Sequence, residues 1–259
     1  MNRPVIAIVQ ARMGSTRLPG KVLAEVCGRP LLDHLVTRLK RATTVDEVAI
    51  ATTDLPKDEP IRAFARSRGL RHFAGSEQDV LDRYVQAARC FGARTIVRIT
   101  ADCPLVDPDV VDRIVTRFLE SGADAACNSG SFPDGLDVEV FWAEALEQAW
   151  RDARLGSERE HVGPYFWNHP ELFNLLRVEW DGDLGHLRWT VDTPEDLAFV
   201  TEVFEELHEA GSHFGTAEIL ELLARRPDLS DLNSGIVRNA GYLKSLAQDA
   251  EAAAAEARK

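Results

Sequence analysis

Basic residues are scarce in this 259-residue chain: 30 lysines and arginines face 42 aspartates and glutamates, a formal net charge of −12 at pH 7. Such a surface repels a nucleic-acid backbone, so any phosphate-bearing ligand must be held by a local cationic pocket. Long apolar runs are missing too. Only the short apolar stretch 5–9 precedes Arg12, far short of the ~7–15 apolar residues of a signal peptide or the ~20 of a membrane span. A soluble, cytoplasmic protein with no membrane or nucleic-acid partner is expected. Cys27, Cys90, Cys103 and Cys127 are the only cysteines, widely separated and without a C-x-x-C pair, which argues against zinc and against a disulfide framework. There is no P-loop, no G-x-G-x-x-G, no Ser-His-Asp arrangement and no ordered His/Cys ligand set. No internal repeat is visible either.

What is present is an alternation of short apolar runs with longer amphipathic stretches, the pattern of an α/β protein with a mostly parallel, twisted sheet flanked by helices. Strands are expected at 4–10, 47–53, 71–73, 95–100, 123–128, 136–141 and 187–191. Helices are expected at 30–42, 59–68, 79–91, 108–119, 143–154 and 194–211. Asp107 and the run Asp192-Thr193-Pro194 supply helix-start signals. A chain with 45% apolar residues and this length can bury one core, so residues 1–241 are read as one domain. Regularity weakens over 129–186, read as a small excursion. Residues 242–259 form an Ala- and Glu-rich helical tail with no chemical role assigned.

The strongest chemical signal directly follows the first strand. Residues 11–21, A-R-M-G-S-T-R-L-P-G-K, place two glycines, two hydroxyls and three cations at the carboxyl end of a strand, where α/β sheets bind ligands. Glycines let backbone N–H groups approach a polyphosphate, and Arg12, Arg17 and Lys21 can neutralise its charge. The alternative is a solvated basic loop, which fits poorly with so acidic a chain. Asp102 and Asp192 each follow an expected strand, so both project at one sheet edge, where carboxylates suit a hard cation such as Mg²⁺. Their bland alternatives are a turn residue before Pro104 and a helix N-cap.

This loop resembles the signature loop of the cytidylyltransferase family that includes the CMP-sialic acid and CMP-Kdo synthetases, and most of all its spore-coat polysaccharide SpsF-like branch. The segments R-I-T-A-D-C-P-L (98–105), P-D-G-L-D-V-E-V-F (133–141), R-E-H-V (159–162) and R-W-T-V-D-T-P-E-D (188–196) extend the match in order. The resemblance implies a Rossmann-like nucleotidyltransferase fold, CTP as donor, Mg²⁺ as cofactor, pyrophosphate release and a homodimer. It implies a nucleotide site of Ala11, Arg12, Met13, Gly14, Ser15, Arg17, Lys21, Thr53, Asp79, Val80, Arg98, Ala101 and Asp102, with Lys21, Arg12 and Arg17 acting on the phosphates. Asp102 and Asp192 would hold the metal, and Asp137, Glu139, Arg159, His161 and Arg188 would form the acceptor site. E-Q-D-V-L-D-R (77–83) resembles the family's stretch beside base and ribose. Three rivals stay open: GTP or dTTP as donor, a non-catalytic nucleotide-binding protein, and a glycosyltransferase, whose usual Asp-x-Asp motif is reduced here to Asp102.

Overall fold

The first strand, β1 (Val5–Gln10), is buried on both faces, and its side chains divide between two cores. Val5, Ala7 and Val9 join the larger core; Ile6 and Ile8 join the smaller one on the opposite face. This is why the run is continuously apolar rather than alternating. The computed structural model describes residues 4–128, 130–208 and 213–256. Expectations touching residues 1–3, 129, 209–211 and 257–259 lie outside the described residues.

After β1 the chain forms a small hairpin of β2 (Glu25–Val26) and β3 (Arg29–Pro30), then α1 (Leu31–Leu39), β4 (Glu47–Thr53), α2 (Glu59–Ser67), β5 (His72–Gly75), α3 (Val80–Phe91), β6 (Thr95–Thr100) and α4 (Pro108–Ser121). There follow β7 (Ala125–Asn128), β8 (Glu139–Trp142), α5 (Ala143–Asp152), α6 (Gly156–His161), α7 (Gly163–Asn168), β9 (Leu175–Val178), α8 (Pro194–Leu207), α9 (Thr216–Arg225), α10 (Asp228–Asp231) and α11 (Ala240–Glu256). The main sheet has seven strands in the order β5-β4-β1-β6-β8-β7-β9. Strand β8 is antiparallel to β6 and β7; the other pairings are parallel. Residues of α1, α2, α4, α8 and α9 pack in the larger core, and those of α3, α5 and α7 in the smaller, giving three layers.

Three expectations need correction. Residues 187–191 do not join the sheet as a strand; they make a single parallel bridge, Asp134 to Arg188, outside it. The stretch read as an excursion contributes β8 and β9 to the sheet; the short link after β7 brings β8 back beside it antiparallel, a parallel return needing a longer crossover. Arg159 and His161, expected in a turn-rich stretch, lie on α6. The helix α11 packs on α6, where Asp249 accepts from the amides of Gly156 and Ser157 at 2.9 and 3.1 Å and so satisfies two orphan donors of that helix start.

Candidate active site

From β1 the chain moves outward through β4 and β5 and then returns to lay β6 on the other side of β1. The strand order reverses between β1 and β6, which opens a crevice at their carboxyl ends. The loop 11–20 leaves β1 on one side of that crevice, and Asp102 follows β6 on the other.

The loop is held from beneath. Met13 donates its amide to Asp58 Oδ1 at 2.6 Å, and Asp58 is fully buried and also accepts from the Thr53 hydroxyl. The amides of Ser15 and Gly20 both donate to the Met13 carbonyl at 3.0 Å, and Ser15 Oγ accepts from the Leu18 amide. Gly20, at φ 74°, turns the chain into a short 3₁₀ helix, Lys21–Leu23, that buries Lys21. Among the described residues the amides of Arg12, Gly14, Thr16 and Arg17 have no hydrogen-bond acceptor, so four donors remain for an anion.

Lys21 is the hub. Its Nζ donates to the Val191 carbonyl at 2.6 Å, to Asp192 Oδ1 at 2.7 Å and to Asp102 Oδ2 at 3.2 Å. Burial opposes a charged ammonium here, but the two carboxylates outweigh it and raise the Lys21 pKa. Burial likewise opposes ionisation of Asp102, and Lys21 overturns it, holding that carboxyl below its ordinary value. Asp192 also receives Arg17 at 2.8 Å and Arg188 at 3.3 Å. Thr193, not Asp192, caps α8: its side chain accepts from the Asp196 amide while Asp196 accepts from the Thr193 amide. The cap alternative for Asp192 is thereby removed, and its carboxylate faces the crevice cations instead.

A single ammonium drawing two carboxylates together from separate segments is the arrangement expected where a cation belongs. The donor set is hard oxygen, which suits Mg²⁺. Among the described residues no group of three or more His, Cys, Asp or Glu forms a metal cage, so the remaining ligands would have to come from water and substrate phosphates.

Other expected site residues fall into two sets. Arg12 makes no hydrogen bond or ion pair among the described residues and stays available to a ligand. Ala11, Val80 and Ala101 are buried core positions, and Asp79 caps α3 while pairing with Arg159 at 2.6 Å. Arg98 and Glu139 pair with each other across β6 and β8, and burial pushes the Glu139 carboxyl up. His161 stacks edge-on to Tyr242 and lies 3.1 Å from the Ser245 hydroxyl, so the C-terminal helix touches the expected acceptor region. Asp137 is exposed, accepts from the Gly135 amide at 2.9 Å and pairs with Arg238 at 3.5 Å. Arg188 is buried, with Asp196 at 2.8 Å, Asp134 at 2.7 Å and Asp192 at 3.3 Å around it. It braces Asp192 rather than lying open to an acceptor.

Sequence reasoning missed Asp58, Asp134, Asp196 and Arg83. Asp134 and Asp196 lie inside the segments 133–141 and 188–196, but nothing in their spacing reveals that both meet Arg188. Arg83 is fully buried; Nη1 donates to the Ser76 carbonyl at 2.6 Å, whereas Nε and Nη2 have no partner among the described residues.

A family model described as cytidylyltransferase matches residues 6–214. The chain belongs to the cytidylyltransferase family. This cytidylyltransferase is 35% identical to the spore coat polysaccharide biosynthesis protein SpsF of Bacillus subtilis, over 86% of this chain and 95% of that one. It is 30% identical to the 3-deoxy-manno-octulosonate cytidylyltransferase of Anaeromyxobacter dehalogenans, over 75% of this chain and 95% of that one. Among solved structures, a cytidylyltransferase from Leptospira borgpetersenii superposes with a TM-score of 0.85 at 31% identity, covering 92% of this chain and all of the other. The parallel-rich, helix-flanked nucleotidyltransferase fold is therefore that of its relatives.

Proposed function

We propose that this enzyme transfers CMP from CTP to a sugar acid or a related small anionic acceptor and releases pyrophosphate, in the supply of activated sugars for a surface polysaccharide. The observation that carries the reading is the Lys21 ammonium between Asp102 and Asp192 beneath a loop with free amides and two further arginines. The relatives' names, one in spore coat polysaccharide biosynthesis and one a 3-deoxy-manno-octulosonate cytidylyltransferase, support the acceptor class.

In this mechanism the loop amides and Arg12 take the β- and γ-phosphates, and Arg17 and Lys21 exchange their carboxylate partners for phosphate oxygens near the α-phosphorus. The acceptor oxygen bonds to that phosphorus as the bond to the β-phosphate's bridging oxygen breaks; pyrophosphate leaves, and an acceptor hydroxyl gives its proton to solvent. Asp102 and Asp192 would hold Mg²⁺, whose chemistry there is neutralisation of phosphate charge and alignment of donor with acceptor. No protein nucleophile takes part. Arg188, fixed by Asp134 and Asp196, keeps Asp192 aimed into the crevice. We further propose a homodimer, checked by light scattering.

The deciding assay is pyrophosphate release with Mg²⁺, each of CTP, GTP, ATP, UTP and dTTP, and a pooled panel of sugar acids, sugar phosphates and small phosphonates. Acceptor-dependent release with CTP alone supports the proposal. Release with GTP or dTTP instead replaces the donor, and nucleotide binding without any release points to a sensor.

A further inference from the structure

The helix α11 turns a polar face to the protein. Tyr242, Ser245 and Asp249, spaced by three and four residues and so on one side of the helix, meet α6, while Leu243 and Leu246 stay 53% and 38% exposed. Burial of apolar surface therefore does not account for the docking. Ser245 is 5% exposed, on a helix whose other described side chains are half-buried or exposed. Its hydroxyl lies between two neighbours on α6: Oγ donates to Glu160 Oε2 at 2.8 Å and is 3.1 Å from His161 Nε2.

The single hydrogen of that hydroxyl decides which nitrogen of His161 is protonated. The other two groups at Ser245 Oγ, the Glu160 carboxylate and the Gly241 carbonyl at 3.2 Å, can only accept, so the hydrogen is theirs. Oγ is left to accept from His161, which places the ring proton on Nε2 and a lone pair on Nδ1. Nδ1 has no hydrogen-bond partner among the described residues and is not sealed from solvent. Burial holds the imidazole below its ordinary pKa, with Glu160 opposing and Arg98 and Arg12 reinforcing, so the neutral ring prevails at pH 7.

His161 also stands at the crevice wall. Val162, directly after it, is fully buried at φ 66° and ψ −67°, a strained γ-turn geometry rare for a β-branched residue, and it ends α6 at His161. Gly163 follows, so close to Glu139 that an added Cβ would collide with its carboxylate. Glu139 pairs with Arg98, whose Nη2 donates to Gln10 Oε1 at 3.4 Å, and Gln10 is the last residue before the loop 11–21.

We propose that Ser245 is a positioning residue: by fixing the His161 proton on Nε2 it presents Nδ1 as the acceptor for a hydroxyl of the sugar acid, which makes α11 part of the acceptor site. This rests on the acceptor reading given above for His161. The serine touches no substrate itself and acts through the ring.

Ring nitrogen-15 NMR of the full-length protein, with His161 assigned by means of His161→Gln, reads the tautomer without any turnover. The wild type is expected to show Nε2 protonated and Nδ1 bare at pH 8, Ser245→Ala a mixture of tautomers, and Ser245→Thr, which keeps the hydroxyl, the wild-type state. In pyrophosphate release Ser245→Ala should raise KM for the acceptor about fivefold, the scale of one hydrogen bond, with KM for CTP and kcat unchanged. Ser245→Thr should restore it. A wild-type ring protonated on Nδ1, a tautomer indifferent to Ser245→Ala, or the two KM values rising together with a lowered Tm overturns the proposal. Absence of pyrophosphate release from the wild type with every triphosphate sinks the enzyme reading and the acceptor role with it, while the ring spectra still decide whether Ser245 fixes the tautomer.

Discussion

The Lys21 ammonium lies 2.7 Å from Asp192 Oδ1 although the two are 171 positions apart in the sequence. One partner leaves the glycine-rich loop after β1; the other precedes α8. Their contact, with Asp102 on the same ammonium, joins the ends of three segments into one electrostatic unit.

Asp192→Asn should abolish most of the activity while leaving the circular dichroism spectrum unchanged. Pyrophosphate release with CTP is expected to fall about 100-fold or more, the scale seen when one charge-stabilising group is removed from a phosphoryl or acyl centre. A loss of less than tenfold would take Asp192 out of the reacting site.

Arg188→Ala should act first on stability. The side chain is 6% exposed and is held by Asp134, Asp192 and Asp196. Its removal strands buried carboxylates, which costs about 3–5 kcal/mol for a broken buried pair. Urea denaturation reads this as a lower midpoint. Arg188→Lys should recover little, because an ammonium cannot reproduce the forked contact with Asp196 through Nε and Nη2.

Asp134 gives a pH dependence with a defined sign. Burial, reinforced by Asp137, pushes its carboxyl from 3.8 up to about 6. The folded chain therefore holds this proton more tightly than the unfolded one, so its contribution to stability is full below the unfolded value and is lost as pH rises towards about 6. Activity runs the other way. Ionised Asp134 braces Arg188, so kcat/KM should fall as pH drops through about 6, and this limb should vanish in Asp134→Asn. Persistence of the limb in the variant assigns it to another group.

Gly135→Ala should disturb the site from outside it. Gly135 sits at φ 104°, and an added Cβ would lie 2.5 Å from the Thr190 amide nitrogen and 2.6 Å from the Trp189 carbonyl carbon. Both neighbours are backbone and cannot turn aside. Since Trp189 donates to the Asp134 carbonyl and Val191 to that of Asp102, the clash pushes on the segment that delivers Asp192. A stability loss of about 2 kcal/mol or more is expected, with a lowered Tm and a reduced rate.

Much of this was legible beforehand because local signals carried it. Apolar runs marked β1, β4 and β6, helical spacing marked α1, the cap Asp107 and the stop Gly122 marked α4, and glycines with cations marked the loop 11–21. Asp102 and Asp192 could be placed at one edge by counting from strand ends, although the second of those strands proved to be a single bridge. The reversed strand β8 was not readable as such, since its direction is set by the neighbours it joins and not by its own residues.

By itself, then, the sequence determined the layers, the loop and the kind of charge at the crevice, since propensity, periodicity and glycine placement act over a few residues. Tertiary structure alone decided which charges meet: Arg98 with Glu139, Arg159 with Asp79, Arg188 with three aspartates, and Lys21 between two. The physical reason is that an ion pair is fixed by distance and dielectric in the folded chain, and residues far apart in the sequence leave no local trace of who their partners are.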